Sequence, residues 1–302
     1  MPEQKTPQIL SGFVLKVIGL AVMLLDHLGL FLMNKYFGVN EGLYQMAYVF
    51  RCIGRIAMPL FALFTAEAVR YSKKPWSYLL RLFLMYAGIS IALVIFIYAI
   101  PGNQGLAKDI GGNAFADLSL LALALILFRL PGAKKLLTLL PLAFAGFVYG
   151  IQIYEYANAV TILWFPRFLR PDYSLLGLLI GIGFYFAYPL TDLFSKAYIQ
   201  NMGISLEAYR ETKSYRKMAN IVGASLFFAV VAIFWGISYI GYNYDFRPYD
   251  NYLMQLQSYC LLAIPLIYLY SGARGYDSKP FRIFTYLFYP MHIAILFFIF
   301  SL

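Results

Sequence analysis

Charged side chains are scarce in this chain of 302 residues. Only 13% of the residues are Asp, Glu, Lys or Arg, whereas a soluble domain carries about 25%. Hydrophobic residues make up 62% and aromatic residues 19%, and the mean hydropathy is +0.69. This composition excludes an ordinary soluble domain. It predicts an all-α, polytopic transmembrane helical bundle that forms a single integral-membrane domain over residues 1–302.

Cysteine and several common catalytic motifs are also rare or missing. The two cysteines, Cys52 and Cys260, lie in apolar runs, so a disulfide framework and a CxxC metal site are excluded, and we expect no metal. The sequence contains no GxxxxGK[ST] phosphate loop, HExxH motif or GxSxG elbow. These absences argue against an NTP-driven pump, a zinc protease and a serine hydrolase of the common kinds.

The N-terminus lacks the features of a cleaved signal peptide. The first ten residues, MPEQKTPQIL, have neither a strongly charged n-region nor a small-residue cleavage site, and the apolar run that follows is too long for an h-region. We therefore expect this run to remain as a membrane anchor. The formal net charge is +10, but the basic residues lie in loops between apolar runs, so we expect no nucleic-acid partner.

Nine apolar runs approach the roughly 20 residues that cross a bilayer. Residues 157–165 could form a re-entrant turn or part of a tenth span, so the expected number is nine to ten. The nine predicted spans are 12–33, 47–70, 77–100, 115–130, 136–154, 173–190, 218–240, 252–271 and 283–302.

Basic residues are distributed unevenly among the loops. If the N-terminus is cytoplasmic, sixteen Lys and Arg residues lie in cytoplasmic segments and five lie in outer segments. Cytoplasmic loops carry such an excess in membrane proteins. We therefore predict a cytoplasmic N-terminus and an odd number of spans, in a multi-pass protein of the bacterial cytoplasmic membrane, with lipids as its surroundings.

Ionisable residues interrupt the first two predicted spans. Asp26 and His27 lie in the first span, about 15 residues or ~22 Å from its inner start, and Arg51 and Arg55 lie at the outer start of the second. Charges at such depths are expensive, so these residues predict a polar cavity. Asp26 and His27 point about 100° apart on a helix. We therefore expect Asp26 to hold an arginine while His27 faces the cavity.

Two alternatives stay open for the charged residues of the second span, and a proline adds a further expectation. Arg51 and Arg55 could instead anchor the helix at the interface by extending outward. Glu67 could simply pair with Arg70 one turn away. Pro59 removes an amide donor and leaves the carbonyl of Arg55 without its helical partner, which predicts a kink or a bound water.

The last predicted span contains the second histidine. His292 lies about nine residues into this span, after Tyr289 and Pro290, and these neighbours predict a broken or kinked helix. A histidine in lipid needs a partner. His292 could line the same cavity as His27 or serve as a structural group.

Three sequence blocks resemble the TraX family of membrane proteins, named for the conjugative pilin acetylase. They are LKVIGLAVMLLDHLG, RCIGRIAMPLFALFTAEAVRYSKKPWSYLLRL and YLFYPMH, and the resemblance is close over residues 15–82 and again over 286–292. The family looks related to the larger set of integral-membrane acyltransferases. The resemblance implies transfer of an acyl group, usually acetyl, from cytoplasmic acetyl-CoA or another acyl-CoA to an extracytoplasmic acceptor, such as a protein N-terminus or a cell-surface glycopolymer.

The residue chemistry is compatible with acyl transfer. His27 could remove a proton from the attacking amine or hydroxyl, or it could carry the acyl group covalently. Arg51 or Arg55 could stabilise the oxyanion of the tetrahedral intermediate. The donor phosphates could bind a basic cluster at the inner end of the second and third spans, although cytoplasmic loops are generally basic. This basic cluster consists of Arg70, Lys73, Lys74 and Arg81.

A second class of function uses the same residues differently. In a proton-coupled transporter or lipid flippase, Asp26, His27, Glu67 and His292 would form a proton relay instead of a catalytic set. An acyltransferase would depend on a CoA thioester that binds from the inner side, whereas a transporter would show no such dependence. The sequence leaves both functions open and favours the transferase through the family resemblance.

Overall fold

A computed structural model describes residues 9–102, 111–243 and 251–301 of the chain. The predicted all-helical fold is confirmed, because this part of the chain contains helices and turns but no strand. The α-helices are α1 (Gly12–Tyr36), α2 (Glu41–Gly54), α3 (Ala57–Tyr71), α4 (Pro75–Val94), α5 (Ala114–Phe128), α6 (Leu139–Asn158), α7 (Ser174–Phe194), α8 (Lys196–Met202), α9 (Leu206–Arg210), α10 (Lys213–Asn243), α11 (Asn251–Ser258), α12 (Ile264–Tyr268) and α13 (Lys279–Ser301).

Local sequence signals set several helix ends. The Ser11 hydroxyl accepts a hydrogen bond from the Val14 amide at the start of α1, and the Asn40 side chain accepts one from the Leu43 amide at the start of α2. These bonds satisfy amides that have no partner within the helix. Pro75 begins α4, where its missing amide proton costs nothing. Polar residues and proline therefore separate the apolar runs as the sequence suggests.

Seven helical segments among the described residues are long and apolar enough to cross a membrane. The chain is thus a multi-pass integral membrane protein, while the predicted count of nine to ten spans is not confirmed. The predicted fourth span corresponds to α5, which has only 15 residues and a length of about 22 Å. The predicted eighth span is divided by a 3₁₀ segment, Tyr259–Ala263, between α11 and α12.

Three local expectations have clear outcomes. The second predicted span breaks after Gly54 and resumes at Ala57, so the disruption expected next to Pro59 is confirmed. Of the predicted break or kink at Pro290, the break is wrong, because α13 runs continuously from 279 to 301; the kink stays a prediction. Residues 157–165 form no additional span: 157 and 158 end α6, and 159–165 lie outside any helix. Proline in the first turn of α3 starts a helix, whereas proline within α13 is tolerated, as in other membrane helices.

The chain divides into two compact units. The first contains residues 1–60, 186–229 and 256–302, and the second contains residues 61–185 and 230–255. In the first unit, α1 packs against both α2 and α13. In the second unit, α5 packs against α4 and α6. The expectation of a single domain over residues 1–302 stays a prediction.

The chain before α1 is attached to the segment before α13 within the first unit. The Leu10 amide donates to the carbonyl of Leu269 at 3.1 Å, and the Gly12 amide donates to the carbonyl of Ala273 at 2.7 Å. The Ser271 amide donates back to the carbonyl of Leu10 at 2.9 Å. These bonds hold the start of α1 beside the chain that leads into α13.

The segment between α7 and α10 is held in place within the first unit by polar and apolar contacts. The carboxylate of Asp192 accepts hydrogen bonds from Arg210, which raise the pKa of that guanidinium, and from the Tyr215 hydroxyl at 2.9 Å. Five buried residues of this segment and of the two helices that flank it also pack together. They are Tyr188, Ile199, Tyr209, Tyr215 and Ala219.

Two buried carboxylates organise the second unit. Glu155 is only 2% exposed and accepts hydrogen bonds from the Ile162 amide, Arg167 and Arg170. Asp117, at the start of α5, accepts from the amides of residues 172–174 before and at the start of α7. Each carboxylate therefore satisfies donors of the chain between α6 and α7, and the two fix the conformation of this connection.

Candidate functional site

Asp26 on α1 forms ion pairs with both arginines of α2. Its Oδ2 atom lies 2.9 Å from Arg51 Nη1 in an ion pair, and it accepts a short hydrogen bond from Arg55 Nη2. The predicted pairing of Asp26 with an arginine of the second span is thus confirmed. The four-residue spacing of Arg51 and Arg55 explains why both reach the same carboxylate, since such residues lie on one face of a helix.

Glycines allow α1 and α2 to approach closely at this point. Gly54 lies against Asp26, and a Cβ atom added to Gly54 would collide with the Cα, Cβ and Cγ atoms of the aspartate. A Cβ added to Gly29 would lie 2.7 Å from the carbonyl oxygen of Ala47. A glycine on each helix therefore brings the carboxylate within reach of the guanidinium groups.

Arg55 is enclosed on several sides. It is only 2% exposed, its Nε atom donates to the carbonyl of Arg51 at 3.4 Å, and its Nη1 atom donates to Gln257 Oε1 at 3.4 Å. The alternative that Arg55 extends outward as an interfacial anchor is therefore wrong. Gln257, on α11, is a member of the site that sequence reasoning missed, because an uncharged residue in a weakly apolar helix gives no signal.

The two histidines of the chain contact one another. His292 Nε2 lies 2.8 Å from His27 Nδ1, and the ring centroids are 4.8 Å apart. Tyr289 packs edge-on against both rings, at 5.7 Å from His27 and 5.9 Å from His292. The expectation that His292 lines the same site as His27 is confirmed as far as position is concerned. Its role stays a prediction.

The hydrogen bonds of the pair determine which nitrogen atoms carry protons. His292 Nδ1 lies 2.6 Å from the carbonyl oxygen of Phe288, which can only accept, so this nitrogen carries the proton. In the neutral pair, His292 Nε2 is then an acceptor, and His27 Nδ1 must be the donor. That same donor lies 3.0 Å from the carbonyl oxygen of Met23. This assignment, made from the bonding network, leaves a lone pair on His27 Nε2.

The histidine pair and the arginine pair occupy different faces of α1. Asp26 points to α2 and His27 to α13, as their separation of about 100° on a helix requires. His27 is partly exposed, whereas His292 is only 4% exposed. Oδ1 of Asp26 is buried and has no hydrogen-bond partner in the described part of the chain. The site thus combines an imidazole lone pair, a carboxylate oxygen that can accept another bond, and two guanidinium groups.

The predicted donor-binding residues belong to the second unit. Arg70 is near the end of α3, with its guanidinium carbon 5.7 Å from the centre of the Tyr185 ring and 6.0 Å from that of Tyr71. Arg81 on α4 lies 5.9 Å from the Tyr78 ring. Lys73 and Lys74 lie in the turn between α3 and α4, and their side chains are exposed.

Glu67 lies on α3 near its C-terminal end, in the second unit. Among the described residues, no group of three or more His, Cys, Asp and Glu side chains could hold a metal ion. The polar groups on α1, α2 and α13 therefore offer proton transfer and stabilisation of negative charge as their chemistry.

Comparison with known proteins gives one match. A family model described as TraX protein matches residues 11–300, which include both histidines, Asp26 and the two arginines of α2. The similarity therefore extends well beyond the three short blocks that carry it most visibly. Neither the search of curated proteins nor the search of solved structures found a match to this chain.

Proposed function

Because the chain belongs to the TraX family, we propose that it is a membrane acyltransferase. In this proposal it transfers an acyl group, usually acetyl, from a cytoplasmic acyl-CoA to an amine or hydroxyl on the outer side of the bacterial cytoplasmic membrane. The acceptor class is a protein N-terminus or a cell-surface glycopolymer. The observation that carries the proposal is the hydrogen bond between His27 and His292, next to a carboxylate that holds two arginines.

His27 is the general base. Its Nε2 atom has the lone pair that proton removal requires, since Nδ1 donates to Met23 and to His292. When Nε2 takes a proton, the imidazolium can share its Nδ1 proton with His292 Nε2. His292 thereby orients the base and stabilises its charged form, as the third group does in other base-assisted nucleophilic sites. His292 is in this role a positioning residue.

Acyl transfer with these groups forms one bond to the carbonyl carbon, breaks one, and moves one proton. The acceptor nitrogen or oxygen attacks the thioester carbonyl carbon while its proton moves to His27 Nε2. The tetrahedral intermediate collapses, the carbon–sulfur bond breaks, and the CoA thiolate takes up the proton. The products are the acylated acceptor and CoA.

Arg51 and Arg55 supply positive charge for the oxyanion. With Asp26 they form a group of net charge +1, held in a largely buried setting where electrostatic stabilisation is stronger than in water. Asp26 fixes both side chains before substrate arrives, so no reorganisation is needed during the reaction. Its second oxygen, Oδ1, can accept a hydrogen bond from an acceptor N–H or O–H.

The membrane arrangement follows the distribution of charge. We propose that the N-terminus is cytoplasmic and that α5 and the broken segment from α11 to α12 cross the membrane in addition to the seven longer segments, giving nine crossings. His27 then lies in the outer half, near the acceptor. The basic cluster lies on the cytoplasmic side, where it binds the phosphates of the donor.

The test is turnover of labelled acetyl-CoA by purified protein with an extracytoplasmic acceptor fraction. We expect His27→Ala to reduce turnover by at least about 100-fold, which is the lower range of general-base effects. Val17→Ala, at an exposed position of the same helix, serves as the matched control and should turn over like wild type. Equal turnover of folded His27→Ala and wild type would refute the role of His27. If the labelled acyl group stays attached to His27, then His27 is a covalent acyl carrier and not a general base.

His292 gives a second, sharper readout. His292→Gln removes the imidazole acceptor of the His27 proton. We expect a loss of about tenfold to 100-fold in kcat with little change in KM, because misplacement of a reacting group costs about this much. The pH profile should also change, since the imidazolium of His27 loses its partner. A purely structural His292 would instead lower the amount of folded protein and leave kcat and the pH profile of the remainder unchanged.

The contact between two imidazoles also fits a second function, proton-coupled transport. Hydrogen-bonded ionisable groups within membrane helices form proton relays in pumps and transporters. In this function His27 and His292 would pass a proton, and acyl-CoA would have no effect. Proton uptake by proteoliposomes without a CoA thioester, abolished in His27→Ala, would favour the transporter over the transferase.

A further inference from the structure

A second group of basic residues lies beside the basic cluster at the ends of α3 and α5. Arg129 follows α5, and its Nη1 atom donates to the backbone carbonyl of Val69, one residue before Arg70. The hydrogen bond fixes the C-terminal ends of α3 and α5 next to each other within the second unit. Arg129 is thereby placed close to a cation of the basic cluster.

Lys134 and Lys135 follow at the same end of this unit. They lie in a short 3₁₀ helix, Gly132–Thr138, and both side chains are exposed. Lys135 Nζ is 5.7 Å from the centre of the Phe128 ring, in the last turn of α5. The C-terminal ends of α3 and α5, the segments that follow them and the first part of α4 therefore carry seven basic residues. Glu67 is the one acidic residue in the same stretches of sequence, 67–81 and 128–138.

The contacts of these cations differ from those of basic residues in the first unit. Arg210 pairs with Asp192 at 2.8 Å, and Arg282 pairs with Asp277 at 3.1 Å. By contrast, no carboxylate of the described residues forms an ion pair with Arg129, Lys134 or Lys135. Arg129 instead donates to a helix-end carbonyl, and Lys135 lies against an aromatic ring. A general excess of positive charge on cytoplasmic loops does not require Arg129 to be fixed beside Arg70, and an anion would offset the repulsion among these cations.

Aromatic side chains accompany the cations. Tyr71 is 57% exposed and Trp76 is 54% exposed, and they flank Lys73 and Lys74 in the turn between α3 and α4. A flat base can stack on such rings, and this contact adds to the binding of phosphates. Phosphates together with a base are the recognition elements of a nucleotide.

We propose that Arg129, Lys134 and Lys135 join the basic cluster in one phosphate-binding surface, and that this surface binds the nucleotide part of the acyl-CoA donor. The inference rests on the proposed function for the identity of the nucleotide. It adds three residues and a stacking contact to the donor site. Phosphate groups of anionic lipids share the same chemistry, so the experiment must separate the two sources.

The test measures binding of CoA, without an acyl group, to the full-length protein in nanodiscs of phosphatidylcholine. We expect Lys134→Ala/Lys135→Ala to weaken CoA binding by about threefold to 30-fold, the range for the loss of two exposed charge contacts. Lys196→Ala/Lys279→Ala removes the same charge from two exposed lysines of the first unit and should change the affinity by less than about twofold. Higher ionic strength should weaken binding to wild type more than binding to the Lys134/Lys135 variant.

Two outcomes would overturn the inference. Equal CoA affinity of wild type and the Lys134/Lys135 variant would remove these residues from the donor site, even if wild type catalyses acyl transfer. Unchanged CoA affinity together with reduced retention of phosphatidylglycerol, measured in nanodiscs that contain it, would assign the surface to lipid headgroups. Weakened CoA binding in a protein whose wild type transfers no acyl group would instead support the nucleotide site and refute the proposed function.

Discussion

Replacing Asp26 by asparagine should destabilise the protein strongly although the side chain keeps its shape. The carboxylate is largely buried, with the residue 8% exposed, and it compensates the charge of Arg55, which is 2% exposed. Removing one partner of a buried ion pair typically costs about 3–5 kcal/mol, because the other charge remains in a poorly solvated place. The Arg51 side chain is 16% exposed and can turn towards solvent, so most of the loss arises from Arg55. We therefore expect a loss of about 3 kcal/mol in the free energy of unfolding.

Unfolding in mixed micelles, followed by circular dichroism, measures this loss. The matched control is Asp277→Asn, which breaks the ion pair between Asp277 and Arg282. The Asp277 side chain is 24% exposed and the Arg282 side chain is 61% exposed. This exposed pair should contribute no more than about 1 kcal/mol. A second test combines Asp26→Asn with Arg55→Gln. The double variant should be more stable than the sum of the single losses predicts, by about 0.5–3 kcal/mol. If Asp26→Asn loses no more stability than Asp277→Asn, the buried charge is not what holds α1 to α2.

Two further substitutions test packing, one in each unit. Gly54→Ala should lower the free energy of unfolding by about 1–3 kcal/mol, because its Cβ would collide with Asp26. Gly42→Ala lies in the same helix, where its Cβ would meet only one atom, at 3.5 Å, and it should cause no loss in the same unfolding measurement in mixed micelles. Glu155→Gln should destabilise by about 3 kcal/mol, since Arg170 is 1% exposed and loses its carboxylate. Hydrogen exchange should then increase first in residues 159–171, and unchanged exchange there would contradict the role given to Glu155.

The sequence is a good guide to what depends on short-range pattern. Apolar run length predicts the helices, and the position of Pro59 predicts the interruption between α2 and α3. The spacing of Arg51 and Arg55 predicts that they share a partner. Each of these inferences needs only the geometry of one or two neighbouring helices.

Other features depend on contacts that local pattern does not encode. Pro290 was expected to break or kink the last helix, but α13 continues through it, because a proline within a membrane helix is tolerated where neighbouring groups satisfy the backbone. The segment from 252 to 271 is apolar enough for a span, yet it divides at Ser258 around a 3₁₀ turn. Gln257, in the same region, contacts Arg55 across 202 positions of sequence, and no property of an isolated glutamine predicts that contact.

The arrangement of the site depends on the order of two adjacent residues in α1. Asp26 and His27 must face different partners, because consecutive side chains on a helix diverge by about 100°. The sequence predicts this divergence but not the partner of the histidine, which is 265 positions away. The hydrogen bonds of residues 10–13 with residues 269–274 bring the starts of α1 and α13 together. With the order reversed, the imidazole would meet two guanidinium groups and the carboxylate would meet His292. A lone pair on the imidazole beside a fixed, positively charged group, which the proposed acyl transfer would use, therefore depends on the Asp-His order as well as on the presence of both residues.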